Sequence, residues 1–269
     1  MQSTTGFAPV NGAQLYYEMA GEGTPLILLH AGVADSRMWD GQFTAFAEKY
    51  RVIRFDYRGF GQSAMPAGEF CNYADVAGLL DYLDAPQAIV VGISFGGMIA
   101  IDFAITHPER VLQLVLAAPS VGGATPSERI KGFWQAEDAA FERGDLDEAV
   151  EVNLRAWVDG IYRQPDEVDQ AVREKVGLMQ REIFEIDVPD DIDEIDLEPP
   201  AYGRISSIIS NTLILIGSLD LPEKVEQANW LHEQLPNAQL ITVPDVAHMI
   251  NMEAPTQFNN HVLQFLEDK

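Results

Sequence analysis

The chain has 269 residues, 47% of them hydrophobic, and a formal net charge of −25 at pH 7. That length is ample for a buried core, and α/β chains of this size commonly fold as one unit. The acidic balance excludes a basic footprint for nucleic acid and attraction to anionic lipid, and it disfavours multiply anionic substrates at long range.

In chain order, Phe7-Ala8-Pro9-Val10 and Gln14-Leu15-Tyr16-Tyr17 flank Asn11-Gly12. An Asn-Gly between apolar runs predicts a hairpin. Leu26 to Leu29 is a continuous apolar run, as expected of a strand covered on both faces. Arg37 to Tyr50 carries Met38, Trp39, Phe43 and Phe46 at helical spacing, and Val52 to Phe55 reads as the next strand. Tyr73 to Leu83 places Val76, Leu79, Leu80 and Leu83 on one helix face. Ala88 to Val91 is a further strand, followed by a helix-like segment from Met98 that ends near His107-Pro108. Val111 to Ala117, Thr212 to Gly217 and Leu240 to Val243 read as strands. Alternating strands and helices predict a mostly parallel, doubly wound α/β sheet.

The alternation breaks after Ala118. Residues 120–204 carry no buried-strand pattern and look helical and polar, with Trp134, Phe141, Leu154 and Trp157 among scattered apolar anchors. The expectation is a core of residues 1–119 and 205–269 with a helical cap inserted at 120–204. The acidic run from Asp187 to Pro200 is expected to be a solvated loop rather than a metal site. The five histidines form no ligand cluster and there is no cysteine pair, so neither metal nor cofactor is expected. Cys71 stands alone, which leaves no intramolecular disulfide and suits a cytosolic setting. No apolar leader follows Met1 and no run approaches the roughly 18 apolar residues of a membrane span, so a cytoplasmic protein without membrane partners is expected.

The chemistry centres on Gly92-Ile93-Ser94-Phe95-Gly96-Gly97. A serine between glycines, after a strand and before a helix, is the setting of a nucleophile elbow. The sharp turn leaves no room for side chains two residues either side of the serine. The helix start offers the free N–H of Phe95. Such a serine needs a base and an acid, in chain order Ser, Asp/Glu, His. Asp220 follows the strand ending at Gly217, and His248 lies in the loop after the strand ending at Val243. Both stand where open α/β sheets place their sites. Glu223 and Asp245 are the rival acids.

These segments resemble the α/β-hydrolase family over nearly the whole chain. Leu26 to Gly32 resembles the His-Gly turn that supplies the second oxyanion N–H. Asp56-Tyr57-Arg58-Gly59-Phe60-Gly61-Gln62-Ser63 resembles the D-x-R-G-x-G-x-S loop after the family's fourth strand. His248 to Glu253 resembles the region after the catalytic histidine in esterase and lactonase branches. The resemblance implies a Ser94–Asp220–His248 triad, with Asp245 too near His248 for the family's arrangement. It also implies an oxyanion hole from the N–H groups of Phe95 and Gly32, Val33 being the other candidate because Ala31 replaces the usual glycine. His30 would brace that turn. Val33, Trp134, Trp157 and Met249 are the candidate substrate-binding residues.

The implied activity is hydrolysis of a small, largely uncharged carboxylic ester or lactone through an acyl-enzyme. Serine at position 94 argues against haloalkane dehalogenase and epoxide hydrolase chemistry, which in this fold uses Asp there. The alternatives are a carbon–carbon bond hydrolase, which often carries Trp where this chain has Met249, a perhydrolase or non-haem haloperoxidase-like variant, and a slow-turnover ligand receptor. The oligomeric state, monomer or homodimer, is left open.

Overall fold

The computed structural model describes residues 3 to 267. The chain begins with the predicted hairpin, β1 (Ser3–Val10) and β2 (Ala13–Ala20), paired antiparallel in register. Its turn takes φ 45° at Asn11 and 84° at Gly12, as a two-residue hairpin turn requires. β3 (Pro25–Leu29), β4 (Arg51–Phe55), β6 (Ala88–Ile93), β7 (Val111–Ala117), β9 (Thr212–Gly217) and β10 (Ala238–Val243) complete an eight-stranded sheet; β5 (Gly68–Phe70) lies outside it. The order is β1-β2-β4-β3-β6-β7-β9-β10. β2 meets β4 antiparallel, and every later pairing is parallel. β6 and β9 are buried at every residue, because helices cover both faces.

From β3 the chain moves outward to β4, then returns to the other side of β3 as β6. The winding direction reverses there, so a crevice opens beyond the C-terminal ends of β3 and β6. Leu29 pairs with Gly92 at that edge. The turn after β3 and the turn carrying Ser94 are therefore neighbours by topology.

The covering helices are α1 (Asp40–Phe46), α2 (Asn72–Tyr82), α3 (Phe95–Thr106), α7 (Pro222–Gln234), α8 (Ile250–Glu253) and α9 (Pro255–Glu267). Between β7 and β9 stand α4 (Glu128–Glu142), α5 (Leu146–Leu154) and α6 (Gln170–Phe184). All three fall inside the 120–204 segment. Ser127, Asp145 and Asp169 cap their N-termini by accepting backbone N–H bonds. Val150, Leu154, Val176 and Met179 are buried where α5 meets α6.

The acidic run is solvent-facing as expected, with Leu197 its one buried residue, but it is not all loop. Residues Ile192–Glu194 form β8, which pairs parallel with β5 and ties the insertion to the loop after β4. Phe70 and Leu197 are the buried anchors of this ribbon. A three-residue strand of one apolar and two acidic residues carries no period-two signal, which is why the sequence does not reveal it. Among the described residues no helix is long and apolar enough to cross a membrane.

Candidate active site

Ser94 sits between β6 and α3 with φ 55° and ψ −114°, a backbone conformation that side chains rarely adopt. The surrounding packing holds it there. A Cβ on Gly96 would lie 2.2 Å from the carbonyl oxygen of Leu29, and one on Gly92 would lie 2.3 Å from that of Gly96. Those obstacles are backbone and cannot turn aside. Gly96→Ala is therefore expected to destabilise the fold by about 1–3 kcal/mol or more, read by thermal melting. An unchanged melting temperature would contradict this account of the elbow.

Two turns meet at Ser94. Phe95 opens α3, so its N–H has no helical acceptor. After β3, the N–H of Ala34 bonds to Ala31 O at 3.2 Å, which leaves the N–H groups of Gly32 and Val33 outside that bond. A Cβ on Gly32 would touch Phe95 Cβ at 3.5 Å. Gly32, Val33, Ser94 and Phe95 all line one cavity of about 1170 Å³ between the sheet and the helical insertion.

Asp220 and His248 come together as the spacing predicts. His248 Nδ1 lies 2.9 Å from Asp220 Oδ2, and both side chains are almost wholly buried. The remaining Asp220 oxygen accepts the Leu221 N–H at 2.7 Å. The two loops are stitched together. Ser218 N–H donates to Val243 O, and Leu219 N–H donates to Val246 O. Neither rival bonds to His248: Glu223, also on the cavity wall, accepts from Ser127 Oγ, and Asp245 is exposed, its N–H bonded to Ser218 Oγ. With Nδ1 held by a carboxylate, the other ring nitrogen of His248 is left to exchange a proton. That atom, Nε2, is buried with no partner among the described residues, on the wall shared with Ser94.

His30 is tied into the scaffold. Its Nδ1 faces Ala31 O at 2.9 Å, and Nε2 accepts the Tyr57 N–H at 3.2 Å. Burial pushes its pKa down, which keeps the ring neutral. Asp56 and Arg58 brace the following loop. Asp56 accepts from Ser36 N–H and Gln62 N–H, while Arg58 pairs with Asp75.

Of the candidate substrate contacts, Val33, Trp134 and Trp157 line the cavity. Trp157 belongs to a π-helical turn, Arg155–Asp159, and its ring centroid stands 4.8 Å from that of His248. Trp134 is half-exposed. Met249 is a correction: it is fully buried in the core at the start of α8 and does not line the cavity. The His248 loop points the histidine into the cavity and turns the next residue inward to pack.

The matching family model is the alpha/beta hydrolase fold, over residues 24–255. The chain belongs to this family. It is 26% identical over 270 residues to the pimeloyl-[acyl-carrier protein] methyl ester esterase of Nitrosospira multiformis, covering 93% of this chain and 97% of that protein. It is 30% identical over 271 residues to the 2-hydroxy-6-oxononadienedioate/2-hydroxy-6-oxononatrienedioate hydrolase of Burkholderia vietnamiensis, covering 94% and 91%. The solved enol-lactonase of Burkholderia xenovorans LB400 shares the fold with TM-score 0.79 at 24% identity, over 97% of this chain and 100% of that one.

In this α/β-hydrolase chain, sequence reasoning missed three elements of the site. Lys224, on the first turn of α7, is buried against the cavity and donates from Nζ to Ser120 Oγ at 2.9 Å. Ser120 N–H in turn donates to Ser94 O. Burial pushes the lysine pKa down to about 8, against the pull of Asp220 and Glu223. Its position four residues after Asp220 was the available signal, but Pro-Glu-Lys reads as an ordinary helix start. Glu253 accepts the Ala247 N–H at 3.0 Å and pairs with Arg163 of the insertion at 2.6 Å, which ties the insertion to the His248 loop. Asp102, on α3, also lines the cavity.

Proposed function

We propose that this protein hydrolyses a small, largely uncharged carboxylic ester or lactone through an acyl-enzyme on Ser94. The observation that carries the reading is the 2.9 Å His248 Nδ1–Asp220 Oδ2 contact, with Nε2 unpartnered on the wall shared with Ser94. As Ser94 Oγ attacks the carbonyl carbon, its proton passes to His248 Nε2, and Asp220 stabilises the resulting imidazolium. The carbonyl oxygen becomes an oxyanion held by the N–H of Phe95 and that of Gly32 or Val33. One such donor contributes about 3 kcal/mol to lowering the barrier. Collapse expels the alcohol oxygen, which takes the proton from His248. Water then repeats the sequence on the acyl-enzyme, and Ser94 regains its proton as the acid leaves. In a lactone the alcohol and acid are one molecule.

Part of the cavity wall supports that substrate class. Val33, Phe95, Met98, Ile130, Trp134 and Trp157 give apolar surface for an acyl chain. Each buried methylene contributes roughly 0.8 kcal/mol, about fourfold in binding. The test is kcat/KM for neutral esters of graded acyl length. It should rise over the first few carbons, then fall, and Trp157→Ala should move the optimum to longer chains. An optimum that stays in place would remove Trp157 from the end wall. Multiple turnovers in the same assay separate an enzyme from a receptor of this fold.

A second reading, carbon–carbon bond hydrolysis, is favoured by one observation: the buried Lys224 cation on the cavity wall, suited to an anionic keto acid. The 30% identical relative acts by name on such a compound. Dianionic 2-hydroxy-6-oxo acids cleaved faster than neutral esters would select this reading.

A further inference from the structure

Ser94, Phe95, Met98 and Asp102 follow one face of α3 into the cavity. Asp102 stands two turns from Ser94, on the order of 12 Å along the axis at 1.5 Å per residue. It is only 9% exposed, and its Oδ1 is fully buried without a partner. Among the described residues no donor reaches either carboxylate oxygen. Buried carboxylates are normally paired or hydrogen-bonded, because leaving one unsatisfied carries the full desolvation cost. A ligand entering the cavity would give it a partner.

The surroundings decide the sign of that partner. Asp196 and Glu194 of the insertion add negative potential, and Tyr73 of α2 stands on another side. Arg204 is the opposing cation near Asp102, and its guanidinium donates to Pro199 O. Beside Asp102, Gly122 leaves space: a Cβ there would lie 3.7 Å from Oδ1. Among the described lining residues Asp102, Glu137, Asp196, Glu198, Glu223 and Glu226 share the wall with one lysine, Lys224. That lysine is tied through Ser120 to the Ser94 end. The lining is acidic throughout, Lys224 itself standing between Glu223 and Glu226 on α7, and Asp102 is its buried carboxylate without a hydrogen-bond partner among the described residues, two turns along α3 from Ser94.

We propose that Asp102 binds a protonated amine carried by the substrate at the end remote from the carbonyl that Ser94 attacks. The proposal rests on the ester-hydrolase reading for the place of that carbonyl. An ammonium group supplies both the missing donors and the compensating charge, whereas a hydroxyl would leave the buried charge uncompensated. The remainder of the substrate is apolar, to meet Val33, Phe95, Met98, Ile130, Trp134 and Trp157. Burial, reinforced by Asp196 and Glu194 and opposed by Arg204, pushes the Asp102 carboxyl up to about 7. The ammonium preference is therefore about half expressed near pH 7, complete about one to two units above it, and fades as pH falls and Asp102 takes up a proton.

The test is calorimetric binding to the full-length Ser94→Ala protein. The probes are methyl ω-aminoalkanoates of graded length, each paired with the methyl ester in which a methyl group replaces the ammonium. The ammonium member of the best-fitting pair should bind on the order of tenfold more tightly. The ratio should fall towards one in Ser94→Ala/Asp102→Asn. Without that second substitution it should also fall below about pH 7. Equal affinities at pH 8, a ratio that survives Asp102→Asn, or a ratio indifferent to pH would overturn the proposal. Turnover is not involved, so the two readings fail separately. An ammonium preference without hydrolysis by the parent protein refutes the ester-hydrolase reading. Hydrolysis of neutral esters without an ammonium preference refutes the Asp102 site.

Discussion

Ser94→Ala should fold as the parent does and lose on the order of 10⁶ in turnover of a neutral ester, the scale seen when a triad serine is removed. Alanine meets the same backbone demand at φ 55° as serine does, so the elbow is kept and only the hydroxyl goes. The cavity, the backbone N–H groups of Phe95, Gly32 and Val33, and the His248–Asp220 pair all remain. A residue of catalysis over water, on the order of 10³ to 10⁴, should therefore persist. The checks are a thermal melt matching the parent and single-turnover hydrolysis of an aryl ester. Turnover within tenfold of the parent would remove Ser94 from the chemistry.

Asp220→Asn should cost on the order of 10⁴ in turnover with little change in KM. The carboxylate accepts from His248 Nδ1 at 2.9 Å and from the Leu221 N–H at 2.7 Å. An amide there can present its N–H₂ to Nδ1, which stabilises the wrong tautomer and leaves Nε2 protonated, unable to take the proton from Ser94. Asp245→Asn and Glu223→Gln are the controls. Asp245 is exposed and Glu223 is engaged by Ser127, so each should stay within a few-fold of the parent. A crippled Asp245→Asn beside an active Asp220→Asn would assign the acid to the wrong residue.

The sheet was legible because its strands are continuous apolar runs separated by helical periods. The elbow was legible because steric demand writes glycine into the sequence at fixed offsets. Asp220 and His248 were singled out by the chain order an elbow serine calls for and by their places just past strand ends, and the structure brings the two side chains to 2.9 Å. What stayed hidden depends on contacts distant in sequence. β8 needs β5, more than a hundred residues earlier, and carries no periodicity of its own. Lys224 reads as solvated until the insertion buries it. Asp102 is the one charged residue of an otherwise apolar helix, and its spacing does not show that it looks into the cavity. Met249 was misplaced because adjacency to His248 says nothing about which way a loop residue turns.

The central claim is that Ser94 is the nucleophile and His248 activates it. Treatment with an active-site-directed alkyl phosphonate, followed by peptide mass mapping, tests it most directly. A single adduct on Ser94, lost in Ser94→Ala and formed far more slowly in His248→Ala, is the predicted result. An adduct on Ser120 or Cys71, or labelling of Ser94→Ala at the parent rate, would contradict it.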